Sequence, residues 1–271
     1  MTPADRGPAA TDTNDFIAST RCGESADSIG PTDGGAAGAH RWSSLDDPIS
    51  LNQFFPFVLA DSLAKRSELR SIRRTRGVYT PAVDYWRLLR LQIVAYHQFR
   101  PGPGLDALST AVELAHPDRR EHYATAVTNY RRFLGRKRVQ WLGTPRRAVW
   151  LADELKVRVN PELHVTINEE PHVVKLFLKA DPRWALTQRT ANPLAYLLHA
   201  CHGHLGRPLV VDVLRGRAFG LTRQNVDYDA LLRAQAAAFT SLWESGAGIP
   251  GGGDPGPGAA EESPGGGAVA A

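Results

Sequence analysis

The residues of this sequence best placed to do chemistry are Asn160, Glu162, His164, Lys175 and Lys179, which share one side of a period-two pattern over 156–179. In KVRVNPELHVTI, Val157, Val159, Pro161, Leu163, Val165 and Ile167 alternate with Lys156, Arg158, Asn160, Glu162, His164 and Thr166, the pattern of a strand with one apolar and one polar face. Asn168-Glu169-Glu170-Pro171 is turn chemistry, and HVVKLFLK behind it returns Val174, Leu176 and Leu178 to the apolar face. A four-residue loop sets Ile167 opposite His172, His164 opposite Lys175 and Asn160 opposite Lys179, with Glu162 diagonal between the two lysines. An antiparallel sheet commonly keeps one face wet, so the expected chemistry is a solvated set of ion pairs worth ~0–1 kcal/mol each.

A second chemistry is polyanion binding. The stretch 131–147, RRFLGRKRVQWLGTPRR, carries Arg131, Arg132, Arg136, Lys137, Arg138, Arg146 and Arg147 with no acid among them, interleaved with Phe133 and Trp141. Cations that neutralise phosphates beside rings that stack on bases are the means of nucleic-acid binders. With Lys179 these seven are the candidate binding residues. Upstream, Lys65, Arg66, Arg70, Arg73, Arg74 and Arg76 gather with only Glu68 against them, a further electrostatic footprint. The chain's net charge is +4; residues 1–48 hold three basic and eight acidic residues and 245–271 hold three acidic and no basic ones, so 49–244 carries +12. A core that basic favours nucleic acid or another acidic partner, and acidic tails can screen it or regulate a protein partner. His199, Cys201, His202 and His204 in HACHGH lack the CxxC or HExxH spacing that presents metal ligands, so they read as a helix end whose dipole favours histidine, and no metal is assigned.

The elements that must position these groups read as an α+β fold: N-terminal helices, then a small, mainly antiparallel sheet, formed by the hairpin 156–179 and a strand near 209–214, flanked by helices. Residues 1–48 and 245–271 lack an apolar period and read as disordered tails around one domain, 49–244, helical over 49–138 and sheet-containing over 139–244. A helix is expected after Pro56, another from Thr80-Pro81, a shorter one over 105–115, one from Pro117 and a last one capped by Asn225 or Asp227. Phe54, Phe55, Phe57, Tyr123, Tyr130 and Phe133 stand at core spacing. Two cysteines, Cys22 and Cys201, imply no disulfide framework, which suits a reducing cytoplasm. The first residues lack the basic and apolar regions of a signal peptide, and no apolar run reaches the ~20 residues that span a bilayer.

There is no GxxxxGK[ST], no GxGxxG after a strand and no GxSxG, which removes the phosphate-loop, dinucleotide and hydrolase-elbow assignments. The pieces NPEL (160–163) and KLxxK (175–179), with VVDVLRGRAFG and ALLRAQAAAFTSLW behind them, resemble a group of uncharacterised bacterial proteins over about 50–244. The order helix, three strands, helix, strand is also similar to the core of the PD-(D/E)XK nuclease superfamily. That resemblance implies Mg²⁺-assisted phosphodiester hydrolysis with Glu162 as the first acid and Lys175 as the motif lysine. Val173 stands where the second acid belongs and cannot ligate a metal. Either another acid such as Asp181 or Asp212 enters the site, or the chain is an inactive relative, or the likeness is topological alone, which is the reading taken. The expected function is a non-catalytic or degenerate module that binds nucleic acid or another polyanion without a cofactor.

Overall fold

Ser50 starts the ordered core. Its hydroxyl accepts from the Gln53 amide at 3.3 Å while Gln53 Oε1 accepts from the Ser50 amide at 3.0 Å, and this capping box launches α1 (Leu51–Leu59). The helix therefore begins ahead of Pro56 and runs through it, where the sequence suggested a start after the proline. Asp61 caps α2 (Ser62–Thr75) by accepting from the Leu63 and Ala64 amides, Asp106 caps α4 (Ala107–Glu113), and Pro117 fills the first turn of α5 (Pro117–Leu134). Between them lies α3 (Arg87–Gln98). The computed structural model describes residues 22–24, 45–75, 84–99, 106–222 and 226–245. The Thr80-Pro81 start, Arg76, Asn225 and most of both expected tails lie outside the described residues.

These described residues form a mixed α/β protein with two sheets. The first sheet orders its strands β1 (Cys22–Glu24), β4 (Ala148–Ala152), β5 (Leu155–Val159), β2 (Ile49–Ser50). The second runs β3 (Val139–Gly143), β6 (Leu163–Ile167), β7 (Glu170–Phe177), β8 (Arg207–Asp212), β9 (Arg217–Gly220), antiparallel throughout except between β7 and β8. The crossover joining that parallel pair contains α6 (Gln188–His202), and α7 (Tyr228–Ser245) closes the described chain. Elements of the second sheet and its helices thus come in the order α5, β3, β6, β7, α6, β8, with the β4–β5 hairpin inserted after β3.

Four expectations change. The run over 156–167 is two strands in two sheets: Val157 and Val159 enter one core with Trp150, Phe54 and α6, whereas Leu163 and Val165 enter another with Tyr123, Tyr130 and Phe133. Alternation continued across Asn160-Pro161-Glu162 although the chain changes sheet there. The β6–β7 register is Ile167 to Glu170, Val165 to His172 and His164 to Val173, because the turn is only Asn168-Glu169, both at positive φ (50° and 77°). Pro171 joins β7 at no cost to β8, whose pairing begins one residue later at His172. Finally, the segment read as an N-terminal tail contributes β1, and Cys22 closes a disulfide with Cys201 on α6. That bridge withdraws the support that cysteine usage lent to a reducing compartment. Among the described residues no helix is long and apolar enough to cross a membrane.

The core over α3 and α5 holds one titratable pair with a pH signature. His97 is 8% exposed and its Nε2 meets the Tyr130 hydroxyl at 2.7 Å. Burial lowers its pKa from 6.5 to about 4, while burial pushes the Tyr130 phenol up. A depressed folded pKa means that the stability held above pH 6.5 drains as pH falls through 6.5 toward 4, a loss of about 3 kcal/mol in all. Urea unfolding at pH 7 and pH 4 should show that step. His97→Gln keeps an acceptor for Tyr130 and should shrink the step by most of this amount; an unchanged step would assign it to other groups.

Candidate functional site

Glu162 and Lys175 do meet, but inside the protein. Lys175 extends from the middle of β7 between β6 and β8, and its side chain is 1% exposed; Glu162, just before β6, is 12% exposed. The Lys175 ammonium donates to Glu162 Oε1 at 2.6 Å and to the Asn160 carbonyl at 2.9 Å, and Glu162 Oε2 accepts from the Leu176 amide at 2.8 Å. The wet face expected here is covered because β7 is a central strand with a parallel neighbour and a crossover helix, so Val173 to Phe177 are buried on both sides. His164 leaves the group and meets the Leu205 carbonyl at 2.9 Å, and Lys179 lies beyond the end of β7.

The donor set around this pair does not fit Mg²⁺. Both Glu162 oxygens are engaged by groups of the protein itself. Val173 is 1% exposed and opposes His164. Asp212 stands on the Lys175 side of the sheet, since Lys175 pairs with Val210 and Phe177 with Asp212, yet its carboxylate accepts from the Leu186 amide and from Arg215. Burial raises the pKa of Asp212, opposed by Arg215. Asp181 is chelated by Arg183, whose hydrogen bonds hold that carboxyl below its usual range. Among the described residues no three His, Cys, Asp or Glu side chains converge as a metal site. In HACHGH, Cys201 is spent in the disulfide and buried His202 points Nε2 at the Val159 carbonyl, its pKa lowered by burial.

The basic run 131–147 splits. Arg131, Arg132, Arg136, Lys137, Arg138, Arg146 and Arg147 are all exposed, at the end of α5, before β3 and in the β3–β4 loop. Arg131 pairs with Asp106, Lys137 folds back to the Phe133 carbonyl and ring, and Arg138 meets Glu169 at 2.9 Å. Arg132 donates to the Arg215 carbonyl at 2.8 Å. The rings behave differently: Phe133 is buried and Trp141 is half-buried against the same core, so the basic part of the pattern is on the surface and the stacking part is not.

Local geometry fixes this corner. Gly216, at φ 60°, seats the β8–β9 turn on α5, where a Cβ would come within 2.5 Å of the Asn129 carbonyl. Asn129 secures the turn by donating to the Leu214 carbonyl at 2.6 Å. Arg215 then ties neighbouring segments together, donating to the Lys179 carbonyl at 3.2 Å, the Asp181 carbonyl at 3.4 Å and Asp212. Lys179 itself is half-buried, its pKa lowered by desolvation against the pull of Glu68 on α2. Sequence reasoning missed Arg215 as an organiser; its place in the turn Arg215-Gly216 was the available signal.

What the fold and these sites define is a mixed α/β protein with a largely buried acid–lysine pair and exposed arginines and lysines at the end of α5 and before β3. No family model matches the chain, and no curated protein matches it.

Proposed function

We propose that this chain is a non-catalytic module that binds nucleic acid or another polyanion through its basic surface, built on a sheet of nuclease type whose motif positions carry a structural ion pair. The observation that carries the reading is the contrast between its two groups of charges: Glu162 and Lys175 satisfy each other and the backbone in the interior, while the cations around the end of α5 stand in solvent. The element order α5, β3, β6, β7, α6, β8, with Glu162 just before β6 and Lys175 on β7, supports a likeness to the PD-(D/E)XK core in topology alone. Binding chemistry here is long-range neutralisation of phosphates, with counterion release as its main driving term. Cytoplasmic placement belongs to this proposal too.

Fluorescence anisotropy of the full chain with labelled single-stranded DNA, duplex DNA and RNA across a salt series tests the reading. Affinity should fall steeply with salt, and Arg136→Ala/Lys137→Ala/Arg138→Ala should flatten the slope by roughly 0.9 for each duplex-DNA phosphate that is no longer neutralised. Absence of binding at low salt would refute the assignment. A gel of the same samples with Mg²⁺ should show intact nucleic acid. Mg²⁺-dependent cleavage that disappears in Lys175→Met while circular dichroism shows that variant folded would instead establish the nuclease alternative.

A further inference from the structure

The structure sorts the cations of α2 into two sets. Lys65 turns inward, to Gln235 and over the Phe57 ring, and Arg73 reaches the Trp243 carbonyl and lies over the Trp243 ring. Both bind the helix to α7 and are not available to a ligand. Arg66, Arg70 and Arg74 are exposed, and among the described residues none has an ion-pair partner. Spaced four apart, they form one stripe along the outer face, with ~6 Å of rise between neighbours and ~12 Å from first to last.

The one acid of α2 does not neutralise this stripe. Glu68 lies two positions from both Arg66 and Arg70, on the opposite side of the helix, where its charge acts on Lys179 and Arg183. Lys179 and Arg183 flank the segment that Arg215 anchors, and Arg215 presents its carbonyl to Arg132 of α5.

Resting on the nucleic-acid reading above, we infer that α2 is the element that faces the nucleic acid, its exposed Arg66–Arg70–Arg74 stripe forming a short track for a phosphodiester backbone. A strand of duplex DNA presents a charge every ~3.4 Å along its axis, so a ~12 Å stripe faces three or four phosphates. An evenly spaced row of guanidiniums, on a helix that itself carries no aromatic residue, suits a repeating backbone and reads no base.

The test compares three forms of the full chain on a labelled 20-base-pair duplex: wild type, Arg66→Ala/Arg70→Ala/Arg74→Ala, and the same three positions changed to Lys. With three phosphates no longer neutralised, the salt slope should fall by about 2.7, so a fourfold rise in salt weakens wild type about 40-fold more than the alanine variant. The lysine variant should keep the slope, and circular dichroism should show all three folded, since the stripe touches no core. Wild-type binding with an unchanged slope in the alanine variant would overturn the α2 track and leave the nucleic-acid reading standing. No wild-type binding would overturn both.

Discussion

Lys175→Met is expected to cost about 3–5 kcal/mol of folding free energy, the range for removing one partner of a buried ion pair. The ammonium is 1% exposed and serves both Glu162 and the Asn160 carbonyl, so methionine fills the space and leaves a carboxylate and a carbonyl without their donor. The carboxylate keeps one partner, the Leu176 amide. Neutralising both ends should recover much of the loss: in Glu162→Gln/Lys175→Met the glutamine oxygen still accepts from Leu176, and its amide nitrogen can take over donation toward Asn160. Urea unfolding of the two single variants and the double variant measures the coupling directly. A pair held for structure predicts a strongly non-additive cycle and unchanged nucleic-acid affinity. Single variants of wild-type stability would sink the structural assignment of this pair.

How much of this pair was legible follows from the parity of strands. The expected register set His164 against Lys175, and the observed one sets it against Val173, a shift of two residues. A shift of two preserves faces, so Glu162 and Lys175 were placed on the right side of the sheet for a partly wrong reason. Their burial was harder to see. It depends on β8 and α6, which follow β7 in the chain, and the only local sign is a lysine set inside the apolar run Val173, Val174, Leu176, Phe177. The helices from Pro117 and Asp227 were read better, because both residues are local punctuation, with Asp227 accepting from the Ala230 amide at 3.0 Å. The division of 156–167 between two sheets had no local signal, since apolar side chains serve either core equally well. Arg73 and Lys65 make the same point for function: a count of cations includes those whose charge is already used, and only packing against α7 separates them from Arg66, Arg70 and Arg74.

Removing the Cys22–Cys201 bridge is the other change with a large expected effect. The two cysteines are 179 residues apart, and closing a loop of that length in the unfolded chain corresponds to about 5 kcal/mol in the chain-entropy account, an upper value for the stabilisation. The consequence in the native state is local. Cys22 holds β1 along β4, with Cys22 opposite Trp150 and Glu24 opposite Ala148, and β4 has only β5 on its other side. Release of a three-residue strand leaves an open sheet edge, because so short a strand is not held by its own hydrogen bonds. Oxidised wild type should therefore unfold at a clearly higher urea concentration than Cys22→Ser or Cys201→Ser. The two variants should match each other, and reductant should lower wild type to their level while leaving them unchanged. Hydrogen exchange should quicken at β4 amides before the rest of the sheet. Identical midpoints for wild type with and without reductant would show that the bridge contributes nothing. With the bridge in place, Cys22–Glu24 cover the edge of the first sheet beside β4.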